Sequence, residues 1–203
     1  MHAAAAGGRS WPRRRGFAAR GLSLLVFDCY RPARAARAFL RWAEAPGGEA
    51  MKAEFFPRVA KRDLIRLGYV AARSDHSRGI AVDVALMPAE ARVPRPESAP
   101  PPADCAAPPA LRYPDGALDF GTGFDCFDAR AHAGAPGLNA EAAANHRLLA
   151  ETLHRHGFVG YAREWWHFRF AAGAAAAPVR DFVLRCPRGF FAEPGTRICR
   201  PIR

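Results

Sequence analysis

Two of the seven histidines in the sequence have acidic neighbours at positions that suit metal binding. His76 precedes a glycine that can supply a tight turn, Gly79, and Asp83 follows shortly after it. His167 lies three residues after Glu164. Zinc binds imidazole nitrogen and carboxylate oxygen at ~2.0–2.2 Å, and three protein ligands with one open position make a catalytic site. The pattern therefore indicates His76, Asp83 and His167 as candidate ligands of one zinc ion.

Glu164 would then lie beside the metal without binding it. A carboxylate in that position can take a proton from an activated water molecule and deliver it to a leaving amine. Side chains three residues apart in a flat strand point to opposite faces. A shared site for Glu164 and His167 therefore requires a turn or bulge between them.

Each of these residues also has an ordinary alternative role. A histidine with an acid seven residues away is usually a surface pair, and aromatic residues such as Trp165, Trp166 and Phe168 belong more often to a core than to a substrate wall. Arg31 beside Pro32 would, alone, be an arginine at a helix entry. Hydrolysis by a Ser/His/Asp triad is not indicated, because the sequence contains no G-x-S-x-G motif. Only the combination of motifs favours a site.

The elements that must position these residues follow from hydrophobic periodicity and helix boundary signals. Strands are predicted at 22–28, 80–86 and within 158–170, and helices at 33–45, 59–67 and 139–157. In the segment 80–86 the large residues alternate with Ala81, Asp83 and Ala85, as in a strand whose second face forms the floor of a small polar site. This mixture predicts an α+β fold with a small antiparallel sheet flanked by helices and a zinc site at the sheet face.

The proline-rich segment at about 88–114 is predicted to be a long loop that covers or flanks the site. Residues 1–20 are expected to be a poorly ordered N-terminal segment, and residues 21–203 a single domain. The segment from Gly21 to Phe27 is predicted to be a buried strand rather than part of an export signal.

Three motifs occur in an order that resembles a known enzyme family. They are Tyr30-Arg31-Pro32, then Ser74-x-His76-x-x-Gly79-x-Ala81-x-Asp83, then Glu164-x-x-His167. Together they resemble the D-alanyl-D-alanine dipeptidase family of zinc peptidases, which includes the vancomycin-resistance dipeptidases. The segment 120–128 is similar to a fourth block of the family, and the resemblance extends over about 21–170.

The resemblance implies a role for each matching position. His76, Asp83 and His167 match the zinc ligands of the family, and Glu164 matches its catalytic base. Arg31 matches the arginine that stabilises the transition state, where a guanidinium near the developing oxyanion is chemically apt. By the same resemblance, Ser74 and Asp125 fall where the family contacts the carboxylate and ammonium ends of the dipeptide.

Composition argues against several other classes of function. The formal charge is +11, but the basic residues are spread from Arg9 to Arg203, whereas nucleic-acid binding proteins concentrate them on one face or tail. No nucleic-acid partner is therefore expected. No apolar run approaches the ~20 residues of a membrane-spanning helix, so no membrane partner is expected either.

The five cysteines contain no C-x-x-C pair, so a zinc ribbon or finger is not indicated. Cys186 and Cys199 could close a short loop in an oxidising compartment, or the cysteines could remain thiols. No export signal is found, so the expected location is the cytoplasm, with a periplasmic location if the true N-terminus is missing.

The expected function is zinc-dependent hydrolysis of the dipeptide D-alanyl-D-alanine, linked to peptidoglycan precursor or turnover chemistry. Two alternatives remain open. One is a peptidoglycan D,D-carboxypeptidase of the same superfamily that cuts a longer stem peptide. The other is a non-catalytic relative that binds cell wall or nucleic acid. A dipeptidase must recognise both substrate ends, so a dipeptide with a blocked N-terminus separates the first two.

Overall fold

The structure, a computed structural model, describes residues 15–93, 103–172, 174–185 and 200–201. These residues form four α-helices: α1 (Arg15–Ala18), α2 (Ala33–Glu44), α3 (Lys52–Phe55) and α4 (Ala140–Arg155). They also form six strands: β1 (Leu22–Asp28), β2 (Ala81–Pro88), β3 (Phe158–Tyr161), β4 (Glu164–Phe170), β5 (Leu184–Arg185) and β6 (Arg200–Pro201). Short 3₁₀ helices, among them His76–Arg78, lie in the connections.

The main sheet is antiparallel, with the strand order β1-β2-β4-β3, and β5 pairs with β6 in a separate two-stranded sheet. Strand β2 lies between β1 and β4, and every residue from Ala81 to Met87 is buried. The small residues Ala81 and Ala85 allow close packing on one face, while Val84 and Leu86 fill the other. The predicted α+β class with an antiparallel sheet is confirmed.

Helix α4 packs against β3 and β2 and supplies the buried side chains Leu149 and Leu153 to the core. It begins where the sequence predicts, because the Asn139 side chain accepts a hydrogen bond from the Ala142 amide at 2.7 Å. Gly157 follows the helix with a φ of 84°, a conformation that favours glycine. Helix α2 likewise begins directly after Pro32.

Two sequence predictions are wrong in part. The segment 59–67 is not an α-helix: it contains a 3₁₀ helix at Lys61–Asp63 followed by turns, because Leu64 folds inward onto Phe56 and Val70. Strand β1 forms as predicted but is not buried throughout. It is an edge strand, and of its residues only Leu25 is buried.

The two segments expected to be irregular lie partly outside the described residues. Within 1–20, residues from Arg15 onward are described, and there α1 forms and Phe17 packs into the core. Within 88–114, the described parts contain no strand beyond Pro88 and no α-helix, and none of them lines the pocket that holds the site. Residues 94–102 are outside the described part.

The cysteines pair in a way that the sequence did not indicate. A disulfide joins Cys105 to Cys126, and Cys29 is a free thiol. Cys186 and Cys199, the pair considered from sequence, lie outside the described residues. In the part of the chain that is described, no helix is both long enough and apolar enough to cross a membrane.

Candidate metal and active site

The register of the central strands brings two of the predicted residues together. Asp83 of β2 pairs directly with His167 of β4, and Asp83 Oδ1 lies 3.0 Å from His167 Nδ1. Asp83 is almost completely buried, with 2% of its side chain exposed. Burial alone would raise the pKa of Asp83, but the hydrogen bonds from His167 and His76 outweigh it and lower that pKa.

His76 reaches the same point from the 3₁₀ helix that precedes β2. Gly79 ends this helix with a φ of 70°, and the chain turns directly into the strand. His76 Nε2 lies 3.2 Å from Asp83 Oδ2 and 3.1 Å from His167 Nδ1. Its other ring nitrogen, Nδ1, lies 2.7 Å from the carbonyl oxygen of Cys29. When His76 gives up its Nε2 proton, as a metal ligand must, the proton on Nδ1 can stay donated to that carbonyl and Nε2 presents a lone pair to the cluster.

The three side chains could hold one metal ion. Their facing nitrogen and oxygen atoms are separated by 3.0 to 3.2 Å. Ligands at 2.0–2.1 Å from a tetrahedral zinc would be separated by about 3.3 Å. The donor set of two imidazole nitrogens and one carboxylate oxygen is also one that zinc prefers.

Glu164 lies beside this cluster, because the pairing of β3 with β4 is irregular. Gly160 pairs with Phe168, but the next residue, Tyr161, pairs with Glu164, so the register shifts at this point. The irregularity places Glu164 Oε2 at 3.9 Å from His167 Nδ1, as the sequence analysis required for a shared site. Burial raises the pKa of Glu164 well above its usual value, and the nearby Asp125 and Asp83 raise it further.

Arg31 follows β1, at the edge of the cluster. Its guanidinium Nη2 lies 3.7 Å from Asp83 Oδ2, and its Nε and Nη2 each lie 2.8 Å from Asp28 Oδ2. Burial would lower the pKa of Arg31, but Asp28 outweighs this effect and raises it. Arg31 is therefore held as a fixed cation at the site, which goes beyond the role of an arginine at a helix entry.

These residues line a cavity of about 300 Å³, within the range of small-molecule sites. Its walls include the aromatic side chains of Phe39, Tyr69, Phe127 and Tyr161. The Tyr161 ring meets the His167 ring edge-on, with 5.9 Å between their centroids. Trp165, Trp166 and Phe168 do not line the cavity, because they are buried in the core.

Comparison with known proteins places the chain in a family. A family model described as D-ala-D-ala dipeptidase matches residues 15–93 and 106–184. The chain belongs to the D-ala-D-ala dipeptidase family. The matched segments include all seven residues that were singled out from the sequence, together with every element of the main sheet.

Several characterised proteins are similar to the chain, and each is named D-alanyl-D-alanine dipeptidase. The protein of Enterococcus faecium is 34% identical over 152 residues, which are 74% of this chain and 63% of that protein. The protein of Streptomyces coelicolor is 35% identical over 149 residues, which are 73% of this chain and 62% of that protein. The protein of Escherichia coli is 29% identical over 177 residues, which are 87% of this chain and 67% of that protein. The matched part of the chain thus spans a little under two thirds of the length of the first two of these relatives.

The remaining predicted residues of this family member, Ser74 and Asp125, also line the cavity. Ser74 Oγ accepts a hydrogen bond from the His76 amide at 3.2 Å, which leaves its hydroxyl proton free to donate. Asp125 has a φ of 55°, in a region that few residues other than glycine adopt. Burial raises the pKa of Asp125 to about 7, and the charge of Asp83 contributes to the rise.

Sequence reasoning missed two kinds of residue in this dipeptidase-family site. Asp28, which holds Arg31, lies three residues before it and opposite Asp83 in the β1–β2 register. The only sequence signal for Asp28 was an acid at the end of a predicted strand. The wall residues Tyr69 and Tyr161 gave no signal, because each follows a glycine in a segment that the sequence presents as a turn or a strand end.

The raised pKa of Asp125 predicts how the metal-free protein responds to pH. An aspartate whose folded pKa exceeds its ordinary value of 3.8 costs stability as the pH rises from about 4 to 7, because the unfolded state ionises freely in this range while the folded state retains the proton. Asp125→Asn should therefore raise the melting temperature of chelator-treated protein at pH 8 and change it little at pH 4. The exposed variant Glu151→Gln is the control. An equal shift of Asp125→Asn at both pH values would contradict the prediction.

Proposed function

We propose that this chain is a zinc-dependent dipeptidase that hydrolyses D-alanyl-D-alanine. The observation that carries the proposal is a cluster of three metal-binding side chains with a fourth carboxylate, Glu164, 3.9 Å from one of them, inside a cavity of dipeptide size. Membership of the D-ala-D-ala dipeptidase family supports the same reaction. The substrate is a small dipeptide, and the reaction would serve peptidoglycan precursor or turnover metabolism.

His76, Asp83 and His167 would hold the zinc ion, one per chain. When bound, zinc would polarise the scissile carbonyl and acidify a water molecule. The protein prepares this site in advance, because the Cys29 carbonyl orients His76 and the β2–β4 pairing orients Asp83 and His167. Little reorganisation of these side chains is then needed when the metal enters.

Glu164 would act as the catalytic base and then as the acid. Its Oε2 would take the proton of the attacking water and pass it to the amine that leaves as the peptide bond breaks. Its position in a buried pocket, which raises its pKa, favours the protonated form that this second step requires. Glu164 can transfer protons because the three protein ligands of the metal would be other side chains.

Arg31 would stabilise the negative charge that develops on the carbonyl oxygen in the transition state. Its bond to Asp28 leaves part of its guanidinium free, and Asp28 sets the direction of the group. A donor that is fixed before the reaction does not have to reorganise as charge develops. Asp28 is thus a positioning residue for Arg31.

The two ends of the dipeptide would be bound by a hydrogen-bond acceptor and a hydrogen-bond donor. Asp125 would accept hydrogen bonds from the ammonium end, and the hydroxyl of Ser74 would donate to the carboxylate end. The ammonium would also relieve the crowding of carboxylates that raises the pKa of Asp125. Recognition of both ends favours a free dipeptide over a longer stem peptide.

The disulfide between Cys105 and Cys126 bears on where the protein works. Stable disulfides are rare in the cytosol and common in the periplasm and outside the cell. We therefore favour an oxidising compartment over the cytoplasm that the sequence analysis expected. In such a compartment the dipeptide would derive from turnover of the cell wall.

The reaction itself is tested by product analysis. Purified zinc-loaded protein should release D-alanine from D-alanyl-D-alanine and fail on the N-acetylated dipeptide. Glu164→Gln should keep its zinc and lose activity by about 10²–10⁴-fold, the range for removal of a general acid–base group. Equal turnover of the blocked dipeptide would favour the carboxypeptidase instead, and loss of zinc from Glu164→Gln would make Glu164 a ligand.

The metal site is tested separately by elemental analysis. The wild-type protein should retain about one zinc ion per chain after dialysis, because three pre-oriented ligands surround one point. His76→Ala and His167→Ala should each abolish tight retention, whereas His154→Ala, an exposed histidine on α4, should not. Full zinc content in both site variants would exclude these ligands.

The role of Arg31 is tested by kinetics. Arg31→Ala should lower kcat by about 10²–10³-fold, as for removal of an oxyanion donor, and Arg31→Lys should recover only part of this loss. Asp28→Asn should lower kcat to a smaller degree, because the guanidinium remains but is less firmly held. Arg147→Ala, at an exposed position on α4, is the control. Normal turnover of Arg31→Ala would rule out the catalytic role.

A further inference from the structure

The disulfide lies next to a residue of the proposed substrate site. It joins two cysteines that are 21 residues apart, and Cys126 directly follows Asp125. Both cysteines are buried, Cys105 with 4% and Cys126 with none of its surface exposed. The bond therefore ties the loop that carries Asp125 to a second segment of the chain, the turn around Cys105.

Other contacts connect the same two segments as the covalent bond. The Gly123 amide donates to the Cys105 carbonyl at 2.8 Å, so the loop is held to the turn on both sides of Asp125. Arg58 contacts Asp104, the neighbour of Cys105, at 2.6 Å and also binds Asp128. The turn and the loop thus form one unit, which is fixed by a disulfide, a backbone hydrogen bond and a bridging arginine.

The conformation of Asp125 explains why such a unit is needed. A non-glycine residue with a φ of 55° is unfavourable, and it persists only where the surroundings hold it. Its carboxylate is also placed close enough to Asp83 and Asp28 for their charges to oppose its ionisation. If the loop were free, Asp125 could adopt a more favourable φ and move away from the carboxylates of Asp83 and Asp28. Both changes would carry Asp125 away from the cavity.

The candidate metal ligands are built on different elements. His76 lies in the 3₁₀ helix before β2, Asp83 on β2 and His167 on β4. None of them belongs to the loop or the turn that the disulfide connects. Opening the disulfide should therefore disturb the substrate end of the cavity and leave the metal end in place.

We propose that the Cys105–Cys126 disulfide is a positioning element for substrate recognition, which holds Asp125 in reach of the dipeptide ammonium. The proposal rests on the proposed function. Reduction would convert the disulfide to two thiols. An external phosphine would supply two electrons and become the phosphine oxide, with the oxygen and both protons coming from water, or an external dithiol would supply two electrons and two protons and become a disulfide. In the reduced protein the affinity for the dipeptide falls while the zinc ligands keep their arrangement.

The test compares wild-type protein with Cys105→Ala/Cys126→Ala, each with and without the phosphine reductant TCEP. Alkylation of the denatured protein, followed by digestion and mass analysis of the peptides, identifies which of the five cysteines are free thiols. KM and kcat for D-alanyl-D-alanine and the zinc content are then measured in each state. Hydrogen–deuterium exchange of residues 120–128 is measured as well, with β2 and β4 as reference segments. The double variant cannot respond to the reductant through this bond, so it is the matched control.

We expect reduction of the wild-type protein to raise KM about tenfold, the size expected for weakening one charge-assisted contact, with a smaller change in kcat. Exchange should increase in 120–128 but not in β2 or β4, and zinc should be retained. The double variant should show the raised KM with and without reductant. An unchanged KM and unchanged exchange in reduced protein, or alkylation of Cys105 and Cys126 before reduction, would overturn the inference.

Failure of the proposed function gives a different result. Oxidised wild-type protein would then not hydrolyse the dipeptide at all, and hydrogen exchange alone would decide whether the disulfide holds the loop. If the double variant does not fold, the comparison of oxidised and reduced wild-type protein still decides the question. Reoxidation should restore both the original KM and the protection of 120–128.

Discussion

The carboxylate of Asp83 is the group on which the rest of the site depends. It lies on β2, one of the two central strands of the sheet, almost fully buried, where an unpaired charge would be strongly unfavourable. It is balanced by His76 and His167, which come from elements on either side of it in the sequence. The two imidazole nitrogens and the two carboxylate oxygens that face each other make a compact ligand set, and every other group of the site is arranged around them. The sheet therefore serves mainly to hold one buried acid and its partners at a common point.

Several carboxylates surround this cluster. Asp28, Asp125 and Glu164 lie around Asp83, and Arg31 is shared between Asp28 and Asp83. The crowding adds to burial in raising the pKa of Asp125 and Glu164. A divalent metal and a substrate ammonium would both relieve this repulsion. The same electrostatic feature thus supports the binding of zinc, the recognition of a dipeptide with a free amine and a base that can also act as an acid.

The sequence contained local information about the fold and the site, but not the contacts between distant segments. Alternation in 80–86 and the N-cap Asn139 predicted β2 and α4, because those signals are local. The helix expected at 59–67 was wrong, since Leu64 is drawn inward by Phe56 and Val70, which periodicity within the segment does not reveal. The grouping of His76, Asp83 and His167 could be expected from motifs. The pairing of Cys105 with Cys126 could not, because it depends on how the chain folds between them. The contact of Asp28 with Arg31 is local, but an acid at the end of a strand does not by itself indicate which side chain it binds.

The most direct test of this account is a crystal structure of the zinc-loaded protein with anomalous data at the zinc edge. We expect one strong anomalous peak, within about 2.0–2.3 Å of His76 Nε2, His167 Nδ1 and an oxygen of Asp83. Glu164 should face the fourth position without binding the metal. A peak elsewhere in the protein, or one ligated by Glu164 in place of Asp83, would contradict it.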